Sequence, residues 1–136
     1  MSKVTTYDPK KVTVALGNHI ASGFADDSFV TIEPVGDGVS YVQGCDGEIA
    51  RSIDPSTLYT VKIALLQNSN TNDFLETKRK LDKNDGTGTF SVTISDILGG
   101  QKFVASQGWI TKNASFGRGK AQTNREWEIV CEGDFK

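Results

Sequence analysis

The sequence predicts a mainly β fold, a two-sheet antiparallel sandwich or barrel with one flanking helix, and three observations lead there. Val, Ile and Thr recur in short runs that alternate apolar with polar residues, the period-2 pattern of half-buried strands. Clusters of Gly, Asn and Asp separate those runs at short intervals, as turns between antiparallel strands require. Only one segment, about residues 72–84, carries the 3.6-residue period of a helix. At 136 residues the chain has the length of one domain, long enough to need no metal or disulfide staple, and residues 1–136 are read as a single unit.

In chain order, Val12, Val14 and Leu16 alternate with Lys11, Thr13 and Ala15, and Gly17-Asn18 turns the chain into a strand over His19–Phe24. A turn at Asp26-Asp27 precedes a strand over Phe29–Glu33, which Pro34 stops. Residues 35–57 are punctuated by Gly36, Gly38, Gly44, Gly47 and Asp54-Pro55 and read as a protruding hairpin with strands at Val39–Val42 and Glu48–Ile53. Leu58–Leu66 has the clearest alternation, with Tyr59, Val61, Ile63 and Leu65 on one face and Thr60, Lys62 and Ala64 on the other. The helix begins among the N-cap residues Ser69 to Asn72 and places Asp73 and Glu76 early and Lys78 to Lys83 late, which complements its dipole. Its apolar stripe of Phe74, Leu75 and Leu81 is narrow, so it belongs on a sheet edge or face, and Asn84-Asp85-Gly86 ends it. Strands resume at Thr89–Ser95, Lys102–Ile110 and Arg125–Glu132, the last with Trp127, Ile129 and Cys131 on one face.

Composition narrows function by exclusion. A net charge of −2 excludes a generic polybasic binder of nucleic acid or membrane surfaces, and no apolar run approaches the roughly 20 residues that span a bilayer. The segment Met1 to Thr6 has no apolar stretch of the signal-peptide kind, so export by such a leader is not expected. One His and two Cys are too few for a multi-ligand transition-metal site, and a His-dependent triad has only His19, with no nucleophile elbow. His19 is read as a turn or strand-start residue. Gly117-Arg118-Gly119-Lys120 imitates a phosphate loop, but Ala114 and Ala121 stand where that pattern needs Gly and Ser or Thr. It is read as a solvated basic loop or an ionic contact to a partner subunit. Asn68, Asn70, Asn72 and Asp73 lack the Gly and closing Glu of a calcium loop and are read as helix caps. Cys45 and Cys131 are expected to be reduced thiols, each packed as a small apolar residue. Trp109 and Trp127 lie in alternating strands and are expected in the core, the alternative being a stacking platform for sugars or bases. No catalytic residue, metal or cofactor emerges.

One electrostatic feature remains. From Asp26 to Leu58 seven acids face a lone Arg51, and from Lys62 to Arg125 ten bases outnumber five acids. If the two stretches project from opposite ends, they favour head-to-tail association; otherwise both are solvated faces.

Four segments resemble a known family: Tyr7–Glu33, Asp46–Ser52 (DGEIARS), Leu58–Leu75 and Trp109–Val130, the last with Ser115-Phe116-Gly117-Arg118 and Arg125-Glu126-Trp127. It is a family of bacteriophage and prophage structural proteins, tail tube subunits of long-tailed, contractile phages. The Asp82–Thr89 loop and Gly99-Gly100-Gln101 carry none of its motifs. The resemblance implies a β-sandwich or barrel of the tail tube type. Six copies would form a ring, and stacked rings a hollow tube that conducts DNA from capsid to cell. The implied partners are further copies of the chain, a tail sheath protein, a baseplate or initiator protein and a tape-measure protein. DNA would pass without specific binding, no cofactor would be needed, and the place would be the virion tail, assembled in the host bacterial cytoplasm. Helix 73–83 would face outward, toward a sheath or solvent, and the hairpin would reach axially into the next ring. Expected inter-ring or subunit contacts are Asp37, Tyr41, Asp46, Glu48, Arg51, Asp54, Arg118, Lys120 and Arg125. Expected lumen residues are Asp26, Asp27, Glu126 and Glu128, because a basic lumen would hold the genome by counterion release. The alternatives are another tail component of the same fold, a tube terminator or baseplate-proximal protein, and a small carbohydrate-binding β-sandwich.

Overall fold

Alternation along the sequence reappears as burial in a computed structural model, which describes residues 4–25, 29–36 and 38–136. A single 3-10 turn, Pro9–Lys11, leads into β1 (Val12–Leu16), β2 (His19–Ile20), β3 (Val30–Pro34), β4 (Val39–Gln43), β5 (Ile49–Ile53) and β6 (Leu58–Leu66). The helix α1 (Asn70–Asp85) follows, and then β7 (Phe90–Asp96), β8 (Gln101–Lys112) and β9 (Asn124–Phe135). Seven strands form one sheet in the order β2-β1-β7-β8-β9-β6-β3, while β4 and β5 form a second sheet alone. All pairings are antiparallel. The fold is therefore mainly β, with two antiparallel sheets and one flanking helix. Among the described residues no helix is long and apolar enough to cross a membrane.

The large sheet rolls until its ends approach. The strand expected over His19–Phe24 pairs as such only at His19–Ile20, and Ala21–Ala25 instead crosses from one sheet end to the other. Ala21 N–H donates to the Val14 carbonyl (2.8 Å), Leu66 N–H to the Gly23 carbonyl (2.7 Å), and Ala25 N–H to the Ala64 carbonyl (3.0 Å). Inside lie Val14 and Leu16 of β1, Val61, Ile63 and Leu65 of β6, Val92 and Ile94 of β7, and Trp127, Ile129 and Cys131 of β9, all in one cluster.

β8 departs from simple alternation. One extra residue sits between its pairings Ala105 with Gly133 and Gln107 with Glu132, and such a bulge reverses which face later side chains occupy. Trp109 consequently lies opposite Val130 on the outer face and is half-buried, whereas Trp127 is buried in the core as expected. Gly133 is dictated here, since a Cβ would lie 2.5 Å from the Ala105 Cα.

The helix starts two residues before the expected position because Ser69 is its cap: Ser69 Oγ accepts the Thr71 N–H at 3.2 Å. It ends at Gly86, whose φ of 76° is left-handed backbone that a side chain disfavours. Leu75 is fully buried, Phe74 half-buried, and Leu81 exposed. Polar residues do the rest of the docking. Asn72 Oδ1 accepts the Trp127 indole N–H (2.9 Å), and Asn72 Nδ2 donates to the Leu66 carbonyl (3.0 Å). Thr71 Oγ1 meets His19 Nε2 at 2.9 Å and accepts the Ser22 N–H, while the His19 ring stacks on Phe74 at 4.8 Å.

The two cysteines separate. Cys131 packs in the core as read from the sequence, but Cys45 is exposed at the hairpin turn. Burial pushes the Cys131 thiol from 9.0 up to about 11. A thiol reagent at pH 8 is expected to modify one cysteine in the native chain and both in denaturant. A folded-state value above the unfolded one also means that stability is full below about pH 9 and declines as pH rises toward about 11. Urea titrations at pH 8 and pH 10.5, on the native chain and on Cys131→Ala, check the sign.

Candidate assembly surfaces

The β4–β5 hairpin buries none of its strand residues. On one face Val39 and Tyr41 of β4 stand across from Ile53 and Arg51 of β5, with Gln43 and Ile49 beyond them. Tyr41 is 75% exposed and Ile53 72%. Val42, on the opposite face, is exposed as well. The Gly44 N–H donates to the Glu48 carbonyl and the Asp54 N–H to the Gly38 carbonyl. By antiparallel geometry, Val39, Tyr41, Gln43, Ile49, Arg51 and Ile53 then turn their backbone N–H and C=O groups away from the hairpin on both edges. A two-stranded hairpin with apolar faces and unpaired edges is an incomplete structure that an added surface would complete. Its turn carries Asp46, whose Oδ1 accepts the Glu48 N–H at 3.2 Å, so two carboxylates stand at the tip.

Strand directions place this hairpin at the sheet end where β3 finishes and β6 begins, beside Phe135. The exposed apolar side chains Ile97 and Leu98 lie at that end too. The loop 113–123, which joins β8 to β9, lies at the other end, beyond Leu66 and Asn124. With nine residues of β6 at about 3.3 Å each, the foot of the hairpin and the loop 113–123 are separated by roughly 30 Å. Phe116 is 71% exposed, and the Arg118 guanidinium stacks over its ring at 4.0 Å.

Arg125 stands apart from the other expected contacts. It is 9% exposed, pairs with Glu76 at 3.5 Å, donates to the Ala114 and Ser115 carbonyls, and lies over the Trp127 ring at 5.1 Å. Its charge is spent inside the chain, so it leaves the set of contact residues. Tyr41, Asp46, Glu48, Arg51, Asp54, Arg118 and Lys120 are exposed, whereas Asp37, with Asp26 and Asp27, lies outside the described residues. Glu126 and Glu128 share the outer face of the large sheet. There Lys62 bridges Glu33 (3.8 Å) and Glu128 (4.0 Å). Glu132 and Lys112 pair into the same surface, and Lys102, which alternates with the buried Phe103, joins it. The sequence reading missed the apolar hairpin side chains Val39, Val42, Ile49 and Ile53; the available signal was an alternating segment whose pattern has no core to face. It also missed Phe116.

A pocket lined by Lys62, Lys112, Ser115, Glu126 and Glu128 opens on the outer face of the large sheet. A groove lined by Tyr7, Lys10, Ile20, Phe24, Phe29 and Val30 runs along the seam of the rolled sheet. Among the described residues no group of three or more His, Cys, Asp or Glu side chains is placed to hold a metal.

No family model matches the sequence. The structural protein ORF10 of Pseudomonas phage KPP10 is 26% identical over 136 residues, covering 93% of this chain and 78% of that protein. Several solved structures share the fold. The tube-terminating cap of the anti-feeding prophage superposes with a TM-score of 0.63 at 9% identity, covering all of this chain and 94% of that one. A chain of the sheath–tube complex of an extracellular contractile injection system in its extended state gives 0.56 at 10% identity, covering 96% of this chain and 91% of that one. In sequence the chain is related to a phage structural protein and not to an enzyme, and in fold it resembles components of contractile particles.

Proposed function

We propose that the chain is a repeating subunit of a tail tube, in which hexameric rings stack into a hollow conduit for DNA. One observation carries this reading: the two ends of the domain are unlike and complementary. An acidic hairpin with bare apolar faces leaves one end, and a basic loop occupies the other, so identical copies can add head to tail without limit. Tyr41, Asp46, Glu48, Arg51 and Asp54 supply one side of that contact, and Arg118 and Lys120 the other. Within a ring, the outer edge of β3 offers the backbone groups of Val30 and Ile32 for sheet continuation. The acidic outer face of the sheet, with Glu126 and Glu128, lines the lumen, where like charge keeps a polyanion moving. A sheath protein surrounds the tube, and baseplate and tape-measure proteins meet its ends.

The likeness to a tube-terminating cap favours a second reading, in which the chain closes a tube made of another protein. A terminator needs only one adhesive end. Negative-stain electron microscopy of the purified full chain separates the two: rings or tubes of the chain alone are expected, and single closed rings that never stack select the terminator. A monodisperse monomer at high concentration rejects both.

Salt checks the ionic share of the contact. Exposed charge pairs are screened beyond roughly 8 Å at physiological ionic strength, so tubes are expected to shorten as sodium chloride rises from about 0.1 to 1 M. Lengths indifferent to salt in micrographs remove the ionic contribution.

A further inference from the structure

The basic loop 113–123 is built as a rigid presenter. Ala114 is buried at its start, and the Arg125 guanidinium, locked to Glu76, holds the carbonyls of Ala114 and Ser115. Farther along, Thr123 Oγ1 donates to the Gly117 carbonyl at 2.9 Å. Thr123 is in turn held by Gln67, whose Oε1 receives the Thr123 N–H at 3.3 Å. These ties close the loop at both feet and leave its middle in solvent, where the Phe116 ring carries Arg118 on its face and Lys120 stands exposed. Phe and Arg are among the residues enriched at protein interfaces, and a pre-organised support lowers the cost of docking them.

From this we infer that Phe116 and Arg118 form a docking knob for the hairpin tip of a second copy of the chain, a contact that rests on the tube reading above. The tip matches it in chemistry. Asp46 and Glu48 supply carboxylates for Arg118 and Lys120, and the exposed Val42, on the hairpin face that Glu48 shares by alternation, supplies apolar surface for the Phe116 ring. Arg125, Glu76, Thr123 and Gln67 are positioning residues: they act by holding the loop and do not touch the partner.

Cross-linking of the full-length chain tests this. Cys45 lies at the tip and Cys131 is buried, so Ala121→Cys places a second accessible thiol beside the knob. Mild oxidation is expected to give a ladder of disulfide-linked multimers, which disappears when Cys45→Ser is added. Rings or tubes of the unaltered chain, with no ladder from Ala121→Cys, overturn the contact and leave the tube reading standing. A ladder of soluble multimers without any ring or tube upholds the contact and overturns the tube reading. Arg118→Glu is expected to raise the concentration needed for association about tenfold, and Glu48→Arg in the same chain to restore it. Association unchanged by Arg118→Glu, with loss of binding to a fluorescent oligothymidylate instead, overturns the proposal in favour of a single-stranded nucleic-acid site.

Discussion

Deleting Gly38–Ser52 and bridging the gap with a short Gly-Ser linker is expected to leave a folded domain that no longer assembles. The strand residues removed are all exposed and contribute nothing to the hydrophobic cluster, so the melting temperature should stay within about 3 °C of the parent. Assembly loses the apolar side chains of both hairpin faces, two unpaired strand edges and the acidic tip at once. Sedimentation velocity should show a monomer at concentrations where the parent forms rings or tubes. Unaltered polymerisation would mean that the contact between rings lies elsewhere, and a large fall in melting temperature would mean that the hairpin belongs to the core.

Trp127→Ala is expected to have the largest effect on stability. The side chain is fully buried, and its indole N–H is satisfied by Asn72. Truncating a buried Trp costs about 3–5 kcal/mol, a large part of the roughly 5–15 kcal/mol that holds a domain of this kind together. The urea midpoint should fall by about 2 M. Trp127→Phe retains most of the volume and loses the hydrogen bond, for about 1–2 kcal/mol. Equal, small losses in the two variants would show that the core does not depend on this ring. Because Arg125 lies over Trp127, the alanine variant should also loosen the loop 113–123 and weaken assembly beyond its effect on stability.

The sequence was legible where a strand has one wet face and one dry face along its whole length. β6 spans the expected Leu58–Leu66, with Val61, Ile63 and Leu65 buried and Lys62 exposed, and β9 buries the expected Trp127, Ile129 and Cys131. Legibility failed where the period broke. The bulge in β8 turned Trp109 outward, and no local pattern marks an inserted residue. Arg125 illustrates a different limit. Composition shows a basic side chain in a basic stretch, whereas its role comes from Glu76, 49 positions earlier in the chain, which takes it out of solvent. The charge polarity was visible as two blocks of residues, but the separation of the acidic hairpin from Arg118 and Lys120 depends on strand direction: β6 carries the chain from the hairpin end to the other, where the loop 113–123 lies. Cys45 failed for a related reason, since a small apolar reading presumes a core and the hairpin has none.

The crossing segment Ala21–Ala25 gives the domain a built-in clasp. Most neighbouring strands of the large sheet are joined by long ladders, nine paired positions between β6 and β9, but among the described residues the backbone bonds that join the two ends of the sheet run through this short stretch. Under load or thermal agitation the clasp is where the cylinder parts first, while β8 and β9 stay zipped. Amide exchange should therefore be faster at Ala21, Ala25 and Leu66 than along β9. In a tube that must transmit force along its length without bursting, a neighbouring subunit seated across the seam would turn the weakest line of each barrel into a shared one.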